Sequence, residues 1–483
     1  MQYAKLYQRD IKKTIDWTLI ICYLLLVIIG WVNIYASCHA TEAGSILDFS
    51  SRSGKQFIWI LTAIGLATLI LFVFNPRLWE VISIPMYVVV LVLLVAVIFV
   101  GTDIKGSRSW FSLGPVSFQP AEISKIATAL VLATLMSRPN FKLSNTGNFL
   151  MAAAVIAVPM LIIVAEKETG SALVYIGFIF VLYREGLSGW FLVCIGMIIL
   201  LFILTLTTSS YVSVLVMTAV VSFCYDITNG RLKRWILAGV PLTVLAAFIP
   251  KILGAFPEGS FIAGINPLWI LIGVPAVSLP WKVVKAYRRN RLSSWVSILS
   301  FIAGLIVIFS TQFVFEKVLQ DHQRSRIEVL LGMKDDPAGV GYNVNQSMIA
   351  IGSGGFTGKG FLQGTQTTFG FVPEQSTDFI FCTIGEEWGF LGCLFVIALY
   401  VIMIWKIITD AEESREAFTR IYGYGVASII FMHLFINIGM TIGIMPVIGI
   451  PLPLLSYGGS SLWSFTVMIF IFIALNRQEN KYF

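Results

Sequence analysis

Charge is scarce in this sequence. Of its 483 residues only 12% are Asp, Glu, Lys or Arg, against roughly 25% in an ordinary soluble domain. No polar block the size of a soluble domain interrupts the chain, which excludes a string of globular modules. Histidine is scarcer still. His39, His322 and His433 are scattered, so no metal set is read. Six cysteines (Cys22, Cys38, Cys194, Cys224, Cys382 and Cys393) form no CxxC pair and lie mostly in apolar runs, which argues against a disulfide framework or a zinc site. The net charge of +7 does not point to nucleic acid, because the basic residues sit in short loops between apolar runs, where membrane orientation accounts for them. A basic segment (Lys5, Arg9, Lys12, Lys13) precedes the first apolar run. That run is too long for a signal-peptide core and lacks a clear small-residue cleavage site.

Hydrocarbon fills the rest. Hydrophobic residues make up 57% of the chain, and the mean hydropathy is +0.85. The runs predict an all-α polytopic membrane protein, one membrane domain over 1–483. Fourteen spans are expected at 17–37, 56–74, 80–100, 119–136, 149–165, 171–184, 187–205, 209–224, 234–250, 261–282, 293–314, 379–406, 420–441 and 459–475, each near the ~20 residues a bilayer core requires. With the N-terminus inside, the inner segments hold 21 of the 33 Lys and Arg and the outer segments 11, five of them in one long connection. The rule discounts long loops. Both termini are therefore expected in the cytoplasm.

That long connection, 315–377, is the one extended hydrophilic stretch, and loops on a rigid scaffold carry function. It contains DDPAGVGYNVNQSMIAIGSGGFTGKG, residues 335–360. Asp336 before Pro337 reads either as a general base or as an Asx turn stabilising its own backbone. Val344, Met348 and Ile351 form one apolar stripe, which predicts a short helix lying on the outer membrane surface. GSGGFTGKG then reads as a flexible turn.

Three further features are polar. GSRSWFSLGPVSFQPAEISK, residues 106–125, carries Glu122 and Lys125 at i, i+3, able to pair on one helix face. Intramembrane charges are usually functional, and a purely structural ion pair is the other reading. Arg108 beside Trp110 suits a phosphate-bearing headgroup or a simple aromatic belt. EKETGSA, residues 166–172, reads as a solvated turn. In NIGMTIGIMPVIGIPLPLLSYGGSS, residues 437–461, prolines and glycines break an apolar run. Such backbone is tolerated at membrane depth only when packed in protein or lining a cavity. Ser456 and 458–461 could close a polar pocket there, or small residues could serve tight helix packing.

Together these motifs, with GKGFLQGTQ and FVPEQSTDFIFCTIGEEWGFLG, resemble the SEDS family of cell-wall glycosyltransferases, its elongation members more closely than its division members. The resemblance implies a peptidoglycan polymerase that joins lipid II units into β-1,4 glycan strands by inversion, with Asp336 as base. It implies substrate contacts at Arg108, Trp110, Gln119, Glu122, Lys125, Lys359 and Ser456, and it admits a divalent cation, Mg or Mn. It implies a class B penicillin-binding protein transpeptidase and elongation-complex membrane proteins as partners, and a bacterial inner-membrane location with the active site outward. The chain departs from the family in about four extra spans within 209–282, in KETGS where PDLGT is usual, with Glu168 at the aspartate position, and in Ser376 where a histidine is usual. A flippase for lipid-linked precursors and a recruiting scaffold are the rival readings.

Overall fold

The computed structural model describes residues 15–39, 45–104, 107–113, 116–255, 266–289, 292–318, 324–325, 327–328, 331, 333 and 341–480. Asp335 and Asp336 lie outside the described residues. The chain divides into two compact units, one of residues 1–187 with 335–483 and the other of 188–334.

The first unit begins with α1 (Trp17–Cys38), α2 (Arg52–Phe72) and α3 (Arg77–Val100). Asp16 caps α1, accepting from Thr18 N at 2.8 Å, and Ser51 caps α2 through Gly54 N. A meander follows: β1 (Thr102–Ile104), β2 (Ser107–Leu113) and β3 (Val116–Phe118), all antiparallel. Phe111 pairs with Phe118 across β2 and β3. This small sheet is an addition to the all-α expectation. Its polar–apolar alternation is too short to stand out among apolar runs. Pro120 at the first position opens α4 (Pro120–Met136), where its missing N–H costs no hydrogen bond. Then come α5 (Thr146–Ala165) and α6 (Thr169–Arg184).

After the second unit, α12 (Tyr342–Gly354) and the four-residue α13 (Thr365–Thr368) precede three long helices: α14 (Ile380–Glu413), α15 (Ala417–Thr441) and α16 (Gly459–Asn480). Most of α15 and α16 is buried, whereas α3 and α5 bury only a minority of their length. Lipid chains are as apolar as leucine, so close packing and polar contacts must hold the centre together. Gly30 shows this: a Cβ there would lie 2.6 Å from Leu455 Cα. α4 packs against α15, and α14 against α1 and α15.

The second unit contains α7 (Trp190–Thr207), α8 (Ser210–Thr228), α9 (Leu232–Gly254), α10 (Pro267–Arg289) and α11 (Leu292–Phe313). It has its own apolar cluster, including Leu201, Val214, Met217 and Ile308.

Among the described residues each of the fourteen expected spans falls on a helix, with boundaries displaced by several residues; 261–265, the opening of one of them, lie outside the described residues. Among the described residues nine helices are long and apolar enough to cross a membrane, and α6, α7 and parts of α10 and α11 are shorter apolar helices. The chain is a multi-pass membrane protein. The short helix expected around Val344 is α12. Ser347, Ala350 and Gly354 face inward, while Met348 and Ile349 are exposed. Close approach to α14 selects the small residues, so the larger apolar ones turn outward.

Candidate active site

Four polar constellations among the described residues of the first unit carry the motifs read from the sequence. The deepest is centred on Lys125, which has no exposed surface. Its ammonium donates to Glu122 Oε1 at 2.8 Å, one turn back on α4, and meets His433 Nε2 on α15 at 2.8 Å. The Phe465 ring of α16 lies 5.5 Å away, within cation–π range. His433 Nδ1 lies 3.1 Å from the Pro451 carbonyl. Glu122 is 2% exposed, and its second oxygen has no partner among the described residues. A buried lysine keeps its charge only when paired, and here carboxylate, imidazole and ring share it.

The second constellation joins the sheet to the turn before α6. Ser107 and Ser109 project from one face of β2 and donate to Glu168 Oε2 at 2.7 and 3.0 Å. Gln119 Nε2 donates to Glu168 Oε1 at 3.3 Å. Arg108 and Trp110, at the intervening positions, point to the opposite face. The Arg108 side chain is 60% exposed and lies 3.9 Å from Asp103. The turn is not simply solvated, because Glu166 is 2% exposed with neither carboxylate oxygen partnered. Burial, with the Glu168 charge close by, pushes the Glu166 carboxyl up to about 8.

The third constellation fastens the glycine-rich run to α14. At Gly389, φ is 64° and the helix breaks. Lys359 N and Gly360 N donate to the carbonyls of Glu386 and Glu387, both at 3.0 Å, and Phe390 N donates to Gly355 O at 2.9 Å. The expected flexible turn is therefore a staple that satisfies the backbone groups freed by the break. Glu386, fully buried, accepts from Lys359 Nζ at 2.7 Å, from Gln366 N and Thr367 N at 2.9 and 2.8 Å, and from Thr367 Oγ1 at 2.8 Å. A carboxylate against the N–H groups that open α13 is electrostatically favourable.

The fourth is the broken stretch 442–458. It is packed in protein: Ile450, Leu452, Leu454 and Leu455 are buried. Asn437 Nδ2 donates to Ile450 O at 2.6 Å and to Asp378 O at 2.8 Å. Ser456 Oγ donates to Thr377 O at 2.6 Å and accepts from Leu452 N at 2.8 Å. Ser376 accepts from Arg52 Nη1 at 2.9 Å, and Gly458 N donates to Gln56 Oε1 at 3.2 Å.

The structure thus brings Glu122 and Lys125 together, seats Gln119 against Glu168, ties Lys359 to Glu386 and ties Ser456 to 377. Arg108 and Trp110 share a face of β2. The sequence reading passed over His433, Asn437, Glu386, Arg52 and Gln56. The available signal for the first two was a pair of polar residues at i, i+4 inside an apolar helix. Among the described residues no group of three or more His, Cys, Asp and Glu converges to hold a metal.

The cell cycle protein family model FTSW_RODA_SPOVE matches residues 16–238 and 291–481. The unmatched stretch, 239–290, overlaps the insertion expected at 209–282. The chain is 31% identical to peptidoglycan glycosyltransferase MrdB of Escherichia coli K12, over 93% of this chain and 90% of that protein. It is 28% identical to peptidoglycan glycosyltransferase RodA of Treponema pallidum, over 96% and 98%. A chain from a peptidoglycan synthase complex shares the fold at a TM-score of 0.59 and 22% identity, covering 96% of this chain and 98% of that one. A mutant of the Thermus thermophilus rod shape determining protein RodA does so at 0.52 and 19%, covering 96% and 98%. The chain belongs to the SEDS family, the cell cycle proteins of the FtsW, RodA and SpoVE type.

Proposed function

We propose that this chain is a peptidoglycan glycosyltransferase of cell elongation that polymerises lipid II into β-1,4 glycan strands. The observation that carries the reading is the match, along 93% of the chain, to a relative bearing that activity in its name. The chemistry has two demands. The acceptor 4-hydroxyl needs a base at the moment of attack, and Asp336 takes that proton. The donor leaves as a lipid diphosphate, whose growing negative charge needs fixed positive groups. Arg108 is exposed on β2 and meets that charge directly. Lys125 and Lys359, already paired with Glu122 and Glu386, hold the surrounding structure. Direct displacement at the α-linked anomeric carbon inverts it and yields the β-linked product. Mg or Mn at the diphosphate is part of this proposal, with ligands to be sought among the residues around Asp336.

The active site faces outward from the bacterial inner membrane, both termini are cytoplasmic, and a class B penicillin-binding protein transpeptidase is the partner. A solved relative within a peptidoglycan synthase complex supports that pairing. The test is polymerisation of lipid II by purified protein with its transpeptidase, read as glycan on a gel. Wild type makes polymer, and Asp336→Asn makes none while inserting and melting normally. Normal polymer from the mutant removes Asp336 from the mechanism. Wild type inert toward lipid II but moving it between leaflets would favour the flippase reading.

A further inference from the structure

Lys125 is an ammonium and can only donate hydrogen bonds, so His433 Nε2, 2.8 Å away, must accept. The Pro451 carbonyl, 3.1 Å from Nδ1, can only accept, so Nδ1 must carry the proton. The two contacts together define one neutral tautomer. His433 is 1% exposed, so water does not replace either bond. The ring also stands edge-on to Phe465, with centroids 4.9 Å apart, which fixes its plane. One turn on, Asn437 ties α15 to Ile450 and to Asp378. His433 therefore sits where the broken stretch 442–458 meets the buried cation of α4.

We propose that His433 is a positioning residue of the active site: bridging the Pro451 carbonyl to the Lys125 ammonium, it fixes with Glu122 where that cation lies. Lys125 has one carboxylate partner on its own helix, and a single partner leaves an ammonium free to swing. The imidazole, reaching from α15, supplies the second direction, and the Phe465 ring closes the third. A cation fixed in this way holds α4 and the stretch 442–458 in register, to within the roughly 0.5 Å that a working site requires.

The inference rests on the glycosyltransferase reading, and the test separates the two. Kinetics of lipid II polymerisation are measured on the purified chain with its transpeptidase, beside melting temperature in detergent. His433→Phe keeps the ring and removes both nitrogens. It lowers kcat at least tenfold and leaves KM within twofold. His433→Gln can accept from Lys125 and donate to Pro451, and it restores kcat to within threefold of wild type. In melting, His433→Phe and Lys125→Met together cost less than the sum of the two singly, because they break the same contact. If His433→Phe does not accumulate folded, His433→Met takes its place under the same criteria. A kcat for the apolar variant within twofold of wild type overturns the proposal. So does His433→Gln failing as badly as His433→Phe while melting normally, or strictly additive melting losses. An inert wild type would instead sink the enzymatic reading, and the melting cycle would still report on the contact.

Discussion

At the scale of single residues, the buried acid Glu166 is the unusual group. Its carboxyl is held at about 8, against 4.5 for the ordinary side chain, because burial strips it of water and Glu168 lies near. Between those values the folded protein carries a proton that the unfolded chain has released. Stability on this account is full below about pH 4.5 and falls as the pH rises toward 8. Glu166→Gln mimics the protonated acid and removes the titration. Its melting temperature should change less than that of wild type between pH 5 and 8, measured in one detergent at constant ionic strength (the pH bounds are set by about 4.5 and about 8). Parallel curves would mean that Glu166 is ionised in the folded state. Residues of this kind divide sharply in how far the sequence reveals them. Glu122 and Lys125 are legible because i, i+3 spacing on one helix guarantees proximity. His433 is not, because it meets Lys125 across 308 positions, and its i, i+4 spacing to Asn437 marks a polar edge on α15 without naming the partner. Glu166 reads as a solvated turn residue, since nothing local announces that the sheet and Gln119 close over its neighbour.

At the scale of elements, the staple between 355–360 and the break in α14 replaces helical hydrogen bonds with bonds between segments. Gly358 has φ +81°, and a Cβ there would stand 2.1 Å from Glu387 O, a backbone atom that cannot step aside. Gly358→Ala therefore adds a clash to a left-handed strain of order 1–3 kcal/mol, and the Lys359–Glu386 pair moves with it. Gly352, inside α12, has nothing within 4 Å of where a Cβ would stand, and alanine there should be neutral or stabilising by up to about 1 kcal/mol. Thermal unfolding of the two variants side by side decides the matter; equal effects would mean that the staple contributes nothing. The sequence shows that this run is rich in glycine but not what the glycines are for. Freedom to bend and room for another backbone use the same residue, and only the partner segment tells them apart. The same limit explains α12. Periodicity identified the helix and its apolar stripe but not the face packed on protein, because tight backbone approach favours Ser347, Ala350 and Gly354 over larger side chains.

At the scale of the whole molecule, the hydrocarbon runs make the architecture legible, because a segment that must satisfy every backbone group in lipid has few alternatives to a helix. The two-unit division is not legible, since the helices of 188–334 are as apolar as the rest. The proposed orientation rests on charge. Positive residues retained on the inner side bias each loop, and the four or so extra spans read from the sequence, if even in number, would leave the Asp336 loop on the face it would occupy without them. Labelling tests this directly. Cys194 is exposed, so the background must first be freed of native cysteines. In that background Asp335→Cys should react with a membrane-impermeant maleimide in intact spheroplasts. Glu413→Cys, exposed at the far end of α14, should react only after lysis. The reverse pattern would put the polymerising face in the cytoplasm, out of reach of a periplasmic transpeptidase, and would overturn the outward active site.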